Sequence, residues 1–84
     1  MRVKVRLFAL ARHRAGRSEV TVEVAEPATV GRLKQALATV AELAPLVPQL
    51  LIAIDADYAG DDERPIPLGA EVAAIPPVSG GWRP

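Results

Sequence analysis

The segment Pro76-Pro77-Val78-Ser79-Gly80-Gly81, near the end of the 84-residue sequence, has two halves of opposite mechanical character. The paired prolines hold the backbone extended and remove two N–H donors, so the segment leaves a sheet instead of adding to it. At about 3.3 Å per residue, this stretch reaches on the order of 20 Å. Gly80 and Gly81 have no side chain to obstruct passage through a narrow channel. A tail stiff at its root and bare at its tip can place its end in another protein's active site. On these residues alone it also fits a plain disordered terminus.

The remaining chemistry-bearing residues form no catalytic pattern. There is no cysteine, which excludes a disulfide, a thiolate ligand, a cysteine nucleophile and a persulfide held on this chain. The one histidine, His13, stands in a basic stretch without a second histidine nearby and reads as solvated. Asp55, Asp57, Asp61, Asp62 and Glu63 lack the alternating ligands and central glycine of a calcium loop, so they read as a solvated turn. Neither a G-x-x-x-x-G-K-[ST] nor a G-x-G-x-x-G motif occurs. No metal site and no bound cofactor are expected, and any activity must use a partner's catalytic groups.

Composition narrows the partners. The formal charge is zero, with ten basic and ten acidic residues, so a nucleic-acid footprint is not expected. No apolar run approaches the roughly 20 residues of a membrane span. The opening Met1-Arg-Val-Lys-Val-Arg is not built like a secretory signal, which points to the cytoplasm. The length allows a single domain, which a chain this short closes over about 60% of its unfolded surface.

The elements that would carry the tail follow from periodicity. Val3, Val5 and Leu7 alternate with Arg2, Lys4, Arg6 and Phe8, which predicts a half-buried strand. Ala9 to Arg17 suits a single helical turn or connector stopped by Gly16. Val20, Val22 and Val24 predict a second strand. Val30, Leu33, Leu37, Val40 and Ala44 at helical spacing, after Thr29 as N-cap, predict a helix that ends before Pro45. Leu50 to Ile54 reads as a buried strand, Gly60 to Pro65 as a turn, and Glu71 to Ile75 as a last strand ended by Pro76-Pro77. The order strand, strand, helix, strand, strand predicts an α+β β-grasp domain over residues 1–75, a mixed sheet with one main helix across one face, followed by a tail over 76–84.

Lys4-Val-Arg-Leu-Phe-Ala-Leu-Ala at the start, Leu51-Ile-Ala-Ile-Asp55 in the middle and Leu68-Gly69-Ala-Glu71-Val72-Ala-Ala-Ile75-Pro-Pro-Val-Ser-Gly-Gly81 near the end resemble the molybdopterin synthase small-subunit (MoaD) family of ubiquitin-like sulfur carriers. The resemblance runs along nearly the whole chain, and its Pro-Pro-Val-Ser-Gly-Gly ending is its most specific part. The family often has Asn where Asp55 stands and Gly-Asp-Glu-Val where this chain reads Gly69-Ala-Glu71-Val72. A larger departure is that the family normally ends at the second glycine, whereas here Trp82-Arg83-Pro84 follow Gly81.

The resemblance implies that the reactive group is the Gly81 carboxyl. An E1-like (MoeB-like) adenylyltransferase would use ATP to adenylate it, and a sulfur donor would convert the acyl-adenylate to a thiocarboxylate. Docked in the large (MoaE-like) synthase subunit, the tail would then give sulfur to cyclic pyranopterin monophosphate. With Trp82 in place the Gly81 carboxyl is tied in an amide, so removal of Trp82-Arg83-Pro84 by a processing protease is expected. The alternatives are a carrier of the thiamine or tRNA thiolation pathways, and a ubiquitin-like interaction module without carrier function.

Strand parity adds a docking expectation. Phe8 falls on the charged face of the first strand, and Ile75 on the Glu71 face of the last. In a β-grasp sheet these strands are parallel neighbours, so both residues would form an exposed apolar patch at the root of the tail and contact a partner, unless the connection near Tyr58-Ala59 covers them within the fold.

Overall fold

The computed structural model describes residues 1–77. In chain order the elements are β1 (Arg2–Leu7), α1 (Ala9–Ala15), β2 (Glu19–Glu23), α2 (Val30–Leu37), a 3-10 helix over Ala44–Gln49, β3 (Leu51–Ile54), β4 (Asp57–Ala59) and β5 (Val72–Ile75). The strands make one mixed sheet in the order β2-β1-β5-β3-β4. β1 is antiparallel to β2 and parallel to β5, with Val5 beside Val72 and Leu7 beside Ala74. β3 is antiparallel to both β5 and β4.

Alternation in the strands sends one set of side chains to a single core. Val3, Val5 and Leu7 of β1, Val20 and Val22 of β2, Ile52 and Ile54 of β3, and Val72 and Ala74 of β5 are all buried. They meet Val30, Leu33 and Leu37, the apolar stripe of α2. Thr29 caps α2, its hydroxyl accepting a hydrogen bond from the Arg32 N–H at 3.2 Å. Among the described residues no polar or charged side chain is buried, and no helix is long and apolar enough to cross a membrane.

Three local expectations are corrected. Residues 9–15 form a helix of about two turns instead of the single turn or connector expected, while Gly16 stops it as expected in the left-handed conformation at φ 71°, its N–H bonding the Arg12 carbonyl. The main helix stops at Leu37 instead of reaching Ala44; just beyond its end the Thr39 hydroxyl donates to the Ala36 carbonyl at 2.6 Å. Side-chain to backbone bonding of this kind competes with helix continuation. Leu43, Leu46 and Val47 then reach the core from a turn and the 3-10 helix, which carries Pro45 in its first turn and Pro48 within it. The third correction is the additional strand β4. At the other end of the sheet Pro76 is buried and Pro77 exposed, so the chain leaves the body between the two prolines.

β4 exists because Asp55 and Ala56 make a two-residue turn with φ of 51° and 68°. Two successive left-handed residues match the twist of a tight hairpin. Tyr58 thereby lies beside Ala53 of β3.

Candidate functional site

The parallel pairing of β1 and β5 brings the ends of both strands to one edge of the molecule. The Phe8 N–H donates to the Ala74 carbonyl at 3.3 Å, so Phe8 stands next to Ile75 at the point where the chain proceeds to Pro76 and Pro77. Immediately after Phe8 the backbone turns through Ala9, at φ 51°, into α1. A left-handed alanine is strained by about 1–2 kcal/mol. The reversal takes the chain away while leaving the Phe8 ring on the sheet face opposite α2. That ring is 42% exposed, and the Arg6 guanidinium lies 6.0 Å from its centroid.

Register extends this patch across the sheet. One row runs Arg6, Ala73, Ala53, Tyr58 across β1, β5, β3 and β4, and Leu51 pairs with Ile75 in the next row. Ala53 and Ala73 are small, so they floor a shallow groove whose walls include Phe8, Ile75 and Tyr58. Tyr58 is 64% exposed and Leu51 49%. Rings and branched chains around a low floor are the kind of surface that another protein's apolar side chains can enter.

The structure brings together Phe8, Ile75, Pro76 and Pro77. The other tail residues singled out in the sequence, Val78, Ser79, Gly80 and Gly81, lie outside the described residues. Sequence reasoning missed Leu51 and Ala53 as parts of the same face, and gave Tyr58 only as part of a loop that could cover Phe8 and Ile75, whereas it stands exposed in β4; Ala73 shares the strand parity of Ile75. Parity held the signal for Leu51, since Leu51 and Ala53 alternate with the buried Ile52 and Ile54; Tyr58 gave none without the hairpin.

The carboxylates perform structural work. Asp62 pairs with Lys34 at 2.9 Å, Asp57 with Arg64 at 3.1 Å, and Asp61 accepts from the Glu63 N–H at 2.9 Å. Among the described residues no cluster of three His, Asp or Glu could hold a metal ion. His13 is exposed on α1.

A mixed five-stranded sheet with parallel central strands, crossed by one main helix, defines a ubiquitin-like β-grasp protein. The ThiS family model matches residues 5–81, and the chain belongs to that family. It is 36% identical over 83 residues to a protein named molybdopterin synthase sulfur carrier subunit from Chlamydomonas reinhardtii, covering 96% of this chain and all (100%) of that one. Its fold matches SAMP1 from Haloferax volcanii with a TM-score of 0.79 at 28% identity, over 96% of this chain and 100% of that one. A Pyrococcus furiosus structure described as a candidate molybdopterin converting factor, subunit 1, gives a TM-score of 0.75 at 26% identity, over 92% of this chain and 98% of that one.

Proposed function

We propose that this chain is the sulfur-carrier subunit of a molybdopterin synthase and that it carries sulfur as a thiocarboxylate on Gly81. The observation that carries the reading is the position of the tail root, where Ile75 and Pro76-Pro77 leave the sheet beside the exposed Phe8. Similarity to the Chlamydomonas carrier subunit across the chain supports it.

In this reading a carboxylate oxygen of Gly81 attacks the α-phosphorus of ATP in the active site of an E1-like, MoeB-like partner. Pyrophosphate leaves and an acyl-adenylate remains. A donor delivers sulfur at the hydrosulfide level: HS⁻ adds to the acyl carbon, the carbon–oxygen bond to AMP breaks with its electron pair on AMP, and loss of the sulfur-bound proton leaves the thiocarboxylate. In the large, MoaE-like subunit that sulfur bonds to a carbon of cyclic pyranopterin monophosphate, and water hydrolyses the thioester so formed, which returns the Gly81 carboxylate and leaves the sulfur on the pterin. Proton transfer and charge stabilisation belong to the partners. The groove around Phe8 and Ile75 is the docking surface that sets the tail's direction.

An amide at Gly81 has no free carboxylate to attack ATP, and the Trp82 indole does not pass a channel suited to glycine. Trp82-Arg83-Pro84 are therefore removed before the chain is charged. The test compares the full chain with one ending at Gly81, each given E1-like enzyme, ATP, sulfur donor and large subunit. The shorter chain should gain the mass of one oxygen-to-sulfur exchange and support dithiolene formation. Equal activity from a full chain that still retains its last three residues by mass would overturn the processing step. Binding of the shorter chain to thiamine-pathway or tRNA-thiolation enzymes, and not to the synthase large subunit, would reassign the carrier.

A further inference from the structure

The connection between β1 and β2 carries an unbalanced charge. Residues 1–18 contain Arg2, Lys4, Arg6, Arg12, Arg14 and Arg17 and neither Asp nor Glu, in a chain of zero net charge. Arg12, His13, Arg14 and Arg17 are all exposed. The ion pairs among the described residues involve Met1, Arg2, Lys34 and Arg64, and none involves α1 or Arg17. Arg12, His13 and Arg17 gather with Ala9, Gly16 and Ser18 around an open cleft that no carboxylate lines.

Basic residues in a last helical turn complement the helix dipole, which accounts for Arg12 to Arg14 without any partner. It does not account for Arg17, which lies beyond the Gly16 cap and closes the cleft. Nor does it account for the position of the cleft. The Ser18 carbonyl accepts from the Leu7 N–H at 2.8 Å and Phe8 bonds Ala74, so the whole connection sits at the end of the sheet where the tail departs. Asp55, Asp57 and Glu71 stand at the opposite end, around the β3–β4 turn and the start of β5. Phe8 lines the apolar groove and the next residue, Ala9, lines the basic cleft, so the two surfaces adjoin at the start of α1.

We propose that the exposed face of α1, with Arg17, is an electrostatic arm of the docking surface that fits an acidic face on the protein admitting the tail. This rests on the carrier reading above. Glu19, exposed at the start of β2 and paired with Arg6, offsets part of this charge, but α1 with Arg17 stays net positive, so an acidic target turns the chain with its tail end foremost. Such steering acts mainly on the association rate and fades as salt screens it.

The test measures association of the chain, in full and ended at Gly81, with purified synthase large subunit at about 50 mM and about 300 mM NaCl. The Arg12→Glu/Arg17→Glu chain should associate at least ~10-fold more slowly at low salt and nearly as wild type at high salt, with dissociation little changed. Arg12→Lys/Arg17→Lys should keep the wild-type rate, and Phe8→Ala should speed dissociation instead. Wild-type association that ignores salt, or a charge-reversed chain that associates normally while Phe8→Ala fails to hold, overturns this inference and leaves the carrier reading intact. Saturable binding of inorganic phosphate at the cleft, with unchanged association of the reversed chain, makes it a small-anion site and likewise overturns it. Absence of any binding between wild type and the large subunit removes the carrier reading and this inference with it.

Discussion

Asp55 and Glu71 are joined twice: the Asp55 N–H donates to the Glu71 carbonyl at 2.8 Å, and the Asp55 carboxylate accepts from the Glu71 N–H at 2.9 Å. The pair ties the β3–β4 turn to the residue just before β5, and so fixes where the strand leading to the tail begins. Asp55 also sits at φ 51°, a conformation that Asp and Asn tolerate better than other non-glycine residues. Asp55→Ala should therefore lower stability by about 1 kcal/mol, while Asp55→Asn stays within about 0.5 kcal/mol of wild type. Urea denaturation of the three proteins decides it; an alanine variant as stable as wild type would show that the turn holds without the bond.

The next residue of that turn, Ala56, is at φ 68° with its side chain exposed. An Asp-Gly pair is preferred in a turn of this kind, because glycine escapes the Cβ clash of the left-handed region. Ala56→Gly should raise stability by about 1 kcal/mol, less the extra chain entropy that glycine loses. A fall in the urea midpoint would count against the two-residue turn.

Gly31, in the first turn of α2, is pressed against the loop that precedes β5. A Cβ there would meet the Asp62 Cβ and carbonyl oxygen at 3.2 Å each, and that carbonyl already accepts the Gly31 N–H at 2.8 Å. Backbone oxygen yields less readily than a side-chain end, so Gly31→Val should cost about 2 kcal/mol and disturb the Lys34–Asp62 pair. Amide exchange should quicken at residues 61–64 before it does in β1. Unchanged protection there would mean that the loop moves aside freely.

Phe8 and Leu33 separate docking from folding. Leu33 is fully buried in α2, and Leu33→Ala should destabilise by about 3 kcal/mol. Phe8→Ala removes a partly exposed ring and a 6.0 Å contact with Arg6, so it should cost no more than about 1 kcal/mol. The same Phe8→Ala change should weaken large-subunit binding by at least ~10-fold, as expected of an aromatic anchor. Titration calorimetry with thermal melts checks both halves, and a Phe8→Ala chain that melts as early as Leu33→Ala would make Phe8 a core residue.

Local rules acting on the sequence determine part of this protein. Alternation in β1 and β2 names the core faces, because neighbouring strand residues point to opposite sides and only one side of these strands is apolar. The same parity sets Phe8 and Ile75 apart as apolar residues on a polar face, and Pro76-Pro77 marks the end of the last strand. Helical spacing overstates the length of α2, because Val40 and Ala44 keep that spacing while residues 38–49 reach the core through turns and a 3-10 helix. Beyond Leu37 the spacing also misplaces the core, since Leu43 is fully buried while Val40 only packs against the core and Ala44 does not belong to it. β4 and the wider groove depend on tertiary pairing: Tyr58 joins Ala53, Ala73 and Arg6 only when a left-handed turn folds a three-residue strand onto β3 and the parallel register aligns β5 with β1. The gathering of Arg12, His13 and Arg17 beside the tail root likewise requires the fold, since residues more than fifty positions apart meet there through a hydrogen bond from Phe8 to Ala74 that no local pattern encodes.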